Sequence, residues 1–178
     1  GVDLTQIPSQ LILANAYHLY QRPGIATIEA LGGLHQFMGW QKPIITDSGG
    51  FQAFALGRRP LRSSSRSEVG RARGSSPLAI TTPDGIRFRS HLDGTEHFFT
   101  PELVIDVQQR LGVDIATCLD VCTGFPESEA VVARAVSQTS EWAARSIAAW
   151  TNPSMLLYGM VQGSSYQNLR QRAVEELL

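Results

Sequence analysis

Four short apolar runs recur along the chain, and each gives way to a polar residue. Leu11 to Ala14 runs into Asn15, with His18 close behind. Pro43 to Thr46 runs into Asp47-Ser48-Gly49-Gly50-Phe51-Gln52, Val113 to Leu119 into Asp120, and Leu156 to Val161 into Gln162-Gly163. The apolar positions are consecutive rather than alternating, the pattern of a strand in a parallel sheet with apolar residues on both faces. Helical spacing separates the runs. Ile25, Ile28 and Leu31 form one stripe, closed by Gly32-Gly33. Thr100-Pro101-Glu102 opens a second helix with an N-cap, a first-turn proline and an acid; Leu103, Val104, Val107 and Leu111 follow, and Gly112 stops it. A third starts after Pro126, with an apolar stripe from Val132 to Ile147, and Asn152-Pro153 ends it. A fourth starts at Ser164-Ser165 and carries Tyr166, Leu169 and Ala173 on one side.

The segment after Gln52 departs from this alternation. Residues 57–79 show no hydrophobic period; Arg58, Arg59, Arg62, Arg66, Arg71 and Arg73 are mixed with Ser, Gly and Pro, which predicts a disordered surface loop. It reads first as solvated surface, with phosphate contact as the alternative. Beyond it, Ile86-Arg87-Phe88-Arg89 alternates and Asp93-Gly94 marks a turn before Phe98-Phe99, an inserted β-hairpin. Alternating strands and helices predict an α/β fold with helices outside a parallel sheet. A (β/α)8 barrel needs about 250 residues. The 178 residues here supply about four strand–connection units, so the expected fold is TIM (β/α)8-barrel-like, an incomplete barrel of about half the strands. The chain begins without Met and ends inside a helical pattern, which reads as a fragment.

Composition narrows the function. A net charge of −1 offers no general polyanion-binding field, so any nucleic acid would be gripped locally. No apolar run approaches the ~20 residues of a membrane span, and the first residues do not resemble a signal peptide. Cys118 and Cys122, a lone C-x3-C pair, are a poor zinc signal and read as reduced core thiols of a cytosolic protein. Lys42 is the only lysine, and it sits before a strand, away from the ligand face expected for such folds. Schiff-base chemistry therefore has almost nothing to use. There is no H-x-H or HExxH, and His35, His91 and His97 show no ligand-like spacing.

In parallel α/β folds ligands sit at the carboxyl ends of strands. The polar residues that end the four runs therefore read as an active site collected from separate strands. Asp47-Ser48-Gly49-Gly50-Phe51 is the strongest motif. Its glycines let a planar ligand approach the backbone, and Phe51 offers an aromatic face of the kind that stacks on a nucleobase. The other reading is an Asp-capped turn with Phe51 in the core. Asp120 adds a second carboxylate, suited to acid/base work or to accepting from the N–H edge of a guanine-like ring; its other reading is a helix cap. Gln162 can donate and accept, which suits a carbonyl edge, but a Gln before Gly is weak alone. Asn15 and His18 are comparable, and His18 alone reads as structural.

Taken together, the segments from Asn15 to Gly24, Gly32 to Trp40, Thr46 to Gln52, Phe88 to Gly94 and Met160 to Ser164 resemble the tRNA-guanine transglycosylase family. Its bacterial branch is also called queuine tRNA-ribosyltransferase. The resemblance covers nearly all of residues 1–178 except 57–79. It implies part of a zinc-containing (β/α)8 catalytic barrel that replaces guanine at the tRNA wobble position with a 7-deazaguanine, a queuosine precursor. It implies a general acid/base role for Asp47, base stacking for Phe51 and base binding by Ser48, Asp120, Gln162 and Gly163. It also places Asn15 and His18 near the ribose, and Cys122 where the bacterial branch carries Cys. It further implies a cytoplasmic enzyme that is a homodimer when full length. The nucleophilic second Asp and the ligands of a structural zinc would lie beyond residue 178, so the chain alone is expected to be inactive and to hold no metal. A non-catalytic partner subunit would be free to lose Asp47 and Asp120, and a small-molecule barrel hydrolase would want metal-ligand histidines. Both are the lesser readings.

Overall fold

The computed structural model describes residues 8–52, 55, 79–90 and 92–178. The predicted loop at 57–79 lies outside the described residues except for Ala79, and so does His91. In chain order the elements are β1 (Ile12–Asn15), α1 (Ala16–Gln21), α2 (Ile25–Ala30), α3 (Leu34–Met38), β2 (Ile44–Asp47), β3 (Ala79–Thr82), β4 (Gly85–Arg89) and β5 (Glu96–Phe99). They continue with α4 (Pro101–Leu111), β6 (Ile115–Thr117), α5 (Glu129–Ala149), β7 (Leu156–Tyr158) and α6 (Gln167–Leu177).

The four apolar runs become one parallel sheet in the order β1-β2-β6-β7. Chain order and spatial order agree, with none of the reversal that a doubly wound sheet requires. Leu13, Ile45, Ile115 and Leu156 form one row across the sheet. The residues between them point the other way. Ile44, Thr46 and Ala116 are buried, and Ile28, Leu34, Val107, Leu111 and Met155 close over that face. The row itself is open among the described residues, with Leu13 65% and Leu156 55% exposed. Helices thus cover one face of the sheet, and all four strand ends emerge on one side.

Helix boundaries follow local chemistry. Thr100 Oγ1 accepts from the Leu103 amide at 3.2 Å and caps α4, and Gly112 ends it in the left-handed conformation. The stripe Val104, Val107 and Leu111 is buried as its spacing predicts. Elsewhere the structure corrects the sequence reading. The stripe through Leu31 stops short, because α2 ends at Ala30 and Leu31 is exposed. Two short helices, α1 and α3, were not anticipated. Helix α5 ends at Ala149, ahead of Asn152-Pro153, and Ile147 faces solvent. Helix α6 begins at Gln167, after Tyr166 rather than at Ser164.

The predicted hairpin is a three-stranded antiparallel sheet, β3-β4-β5. Ala79 to Thr82 pairs with Gly85 to Phe88, so Ala79 belongs to a strand and not to the loop. This small sheet docks through aromatic rings. Tyr17 and Phe88 stand 5.2 Å apart, Phe88 and Phe99 4.9 Å, and Tyr20 and Phe99 5.0 Å. Trp142 of α5 is fully buried beside them, and its Nε1 donates to the Pro83 carbonyl at 2.8 Å. Nearby, Arg145 makes a two-point ion pair with Glu102 on the surface.

Burial separates these two contacts in energy. Trp142→Phe removes packed volume from beneath the small sheet and the indole's bond to the Pro83 carbonyl, which keeps its bond from Gln138 Nε2 at 3.0 Å, an expected cost of about 2 kcal/mol that comes mainly from the lost packing. Arg145→Met removes a largely exposed pair and is expected to cost under about 1 kcal/mol. Urea denaturation of both variants measures the difference, and an equal cost would show that the small sheet is not anchored through Trp142.

Candidate active site

Asp47 ends β2 directly opposite Asn15 of β1. Its carboxylate accepts from Asn15 Nδ2 at 2.7 Å, from the Ala16 amide at 2.9 Å and from Gln52 Nε2 at 3.0 Å. Asn15 does two jobs, since its Oδ1 also accepts from the His18 amide at 3.0 Å and caps α1. Burial pushes the Asp47 carboxyl above the usual Asp range; the Ala16 and Gln52 bonds and the positive field of His18 pull the other way and do not offset it. His18 itself lies exposed on α1, its ring edge-on to Tyr17 at 5.3 Å.

Asp120 is the deeper carboxylate. It is buried at the end of the stretch after β6, and Gln162 Nε2 donates to its Oδ2 at 2.7 Å. Ser48 Oγ donates to Oδ1 at 3.4 Å and Cys122 Sγ to Oδ2 at 3.5 Å. These partners come from the ends of β2, β6 and β7, so one side chain gathers three strand ends. The helix-cap reading of Asp120 is not what the contacts show. Burial again raises the carboxyl above its usual range, against the bonds from Cys122, Gln162 and Ser48. Burial, and then the charge of Asp120, push the Cys122 thiol up to about 12, so it acts as an S–H donor rather than a nucleophile. Cys118 is buried in the core, and both cysteines are free.

Glycines set the approach of these parts. A Cβ on Gly50 would come within 3.0 Å of Asp120 Oδ1 and of its carbonyl oxygen. A Cβ on Gly49 would stand 3.0 Å from Tyr17 Cβ and 3.1 Å from Phe99. Phe51 follows on a helical turn and is 62% exposed, so it is not a core residue. Gly163 is buried because it packs on α6, where a Cβ would lie 2.6 Å from the Arg170 amide nitrogen.

Sequence reasoning missed Gln52 as a site residue. The signal was present: one turn of helix after Asp47 brings position 52 back to its carboxylate. Other polar groups belong to the opposite end of the sheet. Asp114 accepts from His35 Nε2 at 3.0 Å and from the Ile44 amide at 2.7 Å, while His35 Nδ1 reaches the Trp40 carbonyl at 2.8 Å. Lys42 donates to the Ser9 carbonyl. A cavity of about 360 Å³ lies behind the Val121–Gly124 loop against β3 and α5; Cys122 is the one candidate residue on its wall.

The arrangement offers two carboxyl groups at neighbouring strand ends, both held toward the protonated form, beside an exposed aromatic ring and a Gln–Asp pair. Such a surface can hold a flat heterocycle by one face and read its polar edge, with a proton donor and acceptor at hand. A family model described as queuine tRNA-ribosyltransferase matches residues 2–178. A queuine tRNA-ribosyltransferase of Halothermothrix orenii is 43% identical over 176 residues, covering 99% of this chain and 42% of that protein. Those of Desulforamulus reducens and Aquifex aeolicus are 40% and 41% identical, with 42% and 43% of their lengths covered. The chain therefore spans less than half the length of these relatives. Matched along all but its first residue, the chain belongs to the queuine tRNA-ribosyltransferase family.

Proposed function

We propose that the full-length protein replaces guanine at the wobble position of a tRNA with a 7-deazaguanine, through a covalent ribosyl–enzyme intermediate. The observation that carries this reading is the hydrogen-bonded Asp120–Gln162 pair, its carboxylate buried, with the exposed ring of Phe51 on the turn that follows the neighbouring strand. Asp120 would accept from the N–H edge of the base, with Gln162, Ser48, Cys122 and Gly163 around it. Phe51 would stack on its face. Asp47, with Asn15 and His18 toward the ribose, would give a proton to the departing base and take one from the incoming base. A carboxylate nucleophile from outside this chain would form the ribosyl ester and then release it, two displacements at one carbon. Burial, which raises the Asp47 carboxyl above the ordinary Asp range, favours its protonated form and so suits a group that gives up and regains a proton.

The parallel sheet with one open apolar face supports a barrel completed by chain outside these residues, and a cytoplasmic homodimer is the assembly we infer. Among the described residues no helix is long and apolar enough to cross a membrane. The described residues do not fit a zinc site: no three His, Cys, Asp or Glu come together, and Cys122 is committed to Asp120. Zinc in this family reading takes its ligands elsewhere, and no step above depends on it.

Asp47→Asn in the full-length protein is expected to lower exchange of labelled guanine into tRNA by about 100-fold or more; unchanged exchange would remove Asp47 from the acid/base role. Phe51→Ala is expected to raise the Kd for free guanine about ten-fold, while Phe51→Tyr leaves it unchanged. Equal binding by the Ala variant would discard the stack.

Asp120 also yields a pH dependence. Its carboxyl ionises at higher pH folded than unfolded, so its contribution favours folding at low pH. That advantage is lost as pH rises from the ordinary Asp range through the folded value. Asp120→Asn carries no buried charge. Above that window the variant is expected to melt a few degrees higher than the parent, about what 1 kcal/mol gives a domain of this size, and to bind no guanine. The gap should close as pH falls. Melting curves across pH test this, and a variant less stable than the parent at neutral pH would show that the bonds to Asp120 outweigh its burial.

A further inference from the structure

A side chain from α4 lies between the two strands that carry the carboxylates. Gln108 is fully buried, and its amide uses its whole hydrogen-bonding capacity. Its Oε1 accepts from Thr46 Oγ1 at 2.8 Å and from the Thr117 amide at 3.0 Å. Its Nε2 donates to the Thr117 carbonyl at 3.0 Å and to the Val104 carbonyl at 3.2 Å. Thr46 immediately precedes Asp47, and Thr117 stands three residues before Asp120.

The register shows what this amide replaces. On the β7 side of β6, the Cys118 amide donates to the Tyr158 carbonyl at 3.0 Å. Backbone groups of successive residues face opposite neighbours, so the N–H and C=O of Thr117 face β2. An unbroken ladder would meet them there with the backbone of β2. They meet Gln108 instead. Strands β1 and β2 pair as far as Asp47, and β6 and β7 as far as Thr117, but β2 and β6 pair only at Ile45 and Ile115. Beyond that point Thr117 Oγ1 reaches across to the Thr46 carbonyl at 3.3 Å. The sheet is opened at one seam, and the seam divides Asp47 and Phe51 from Asp120 and Gln162.

We propose that Gln108 is a positioning residue: its amide, inserted between the carboxyl ends of β2 and β6, fixes the width of the gap that a base must span. This rests on the base-exchange reading. A ring stacked on Phe51 and read by Asp120 bridges two strands whose spacing no backbone ladder sets at that level. Loss of the amide leaves Thr46 and both backbone groups of Thr117 to re-pair, and the two halves of the site shift relative to each other. The base then loses its stack or its edge contacts, although no residue that touches it has changed.

The test uses two variants of the full-length protein, titrated with guanine and assayed for exchange. Gln108→Met keeps length and removes every bond. It is expected to bind guanine at the parent's stoichiometry with Kd raised about ten-fold or more and kcat lowered. A fall in stoichiometry with an unchanged Kd, or no change in Kd and kcat, would overturn the proposal, because a purely structural residue alters only how much protein is competent. Gln108→Glu keeps shape, and its carboxyl can donate to the Thr117 carbonyl only when protonated. A buried Glu can titrate near pH 8–9, so its Kd relative to the parent should rise between about pH 6 and pH 9. A flat ratio would overturn the proposal even if Gln108→Met fails to fold. A parent that binds no guanine would defeat the base-exchange reading and this inference with it, whereas a binding parent with an indifferent Gln108 defeats this inference alone.

Discussion

Parallel pairing in chain order is the constraint from which the rest of this structure follows. Each strand must run the same way as the one before it, so every carboxyl end emerges on the same side, and the helices described after β1 and ahead of β6 pack over one face. Residues far apart in sequence, Asn15, Asp47, Asp120 and Gln162, become neighbours without any of them being placed by a long loop. Positions on rigid strand ends hold a site more tightly than positions on loops. The small antiparallel sheet adds a brace, because its Phe99 packs under Gly49 just where the chain turns away from β2.

The two carboxylates share one cause of perturbation and differ in their surroundings. Both are raised by burial. Asp47 is met by a backbone amide and two side-chain amides at the start of α1 and the turn after β2, so its ionised form is well supplied with donors. Asp120 sits deeper and is met by groups that can change role: a hydroxyl, a thiol and the amide of Gln162. Under the proposed exchange, the first suits a proton that comes and goes. Under the same proposal, the second suits a recognition surface, where an unpaired polar edge would be costly and would exclude a wrong ring.

Much of this was legible in the chain. The strand ends were, because an apolar run that stops at Asp or Asn leaves few places for that side chain to go. The capped helix at Thr100 was, because cap, proline and glycine agree. What escaped had a physical reason each time. Helices α1 and α3 are too short to show a period. Strand β3 is four residues long and is recognisable only through its partner β4. Phe51 was ambiguous between core and surface, since an aromatic after two glycines fits either until its exposure is known. Gln108 left no trace at all: a glutamine on a helix reads as polar surface, and only the missing ladder beside Thr117 shows why it is buried.

The glycines at the site have a consequence for how such a surface can change over time. At Gly50 and Gly163 the space a Cβ would occupy is already filled by Asp120 or by the backbone of α6, and at Gly49 by Tyr17 and Phe99. Every amino-acid replacement of glycine adds that atom, so these positions have no graded series of neighbours to pass through. If the site takes a ring as proposed, a lineage altering that ring must do so through side chains such as Cys122 and Phe51, where small steps exist. The backbone platform beneath them is open only to all-or-nothing change.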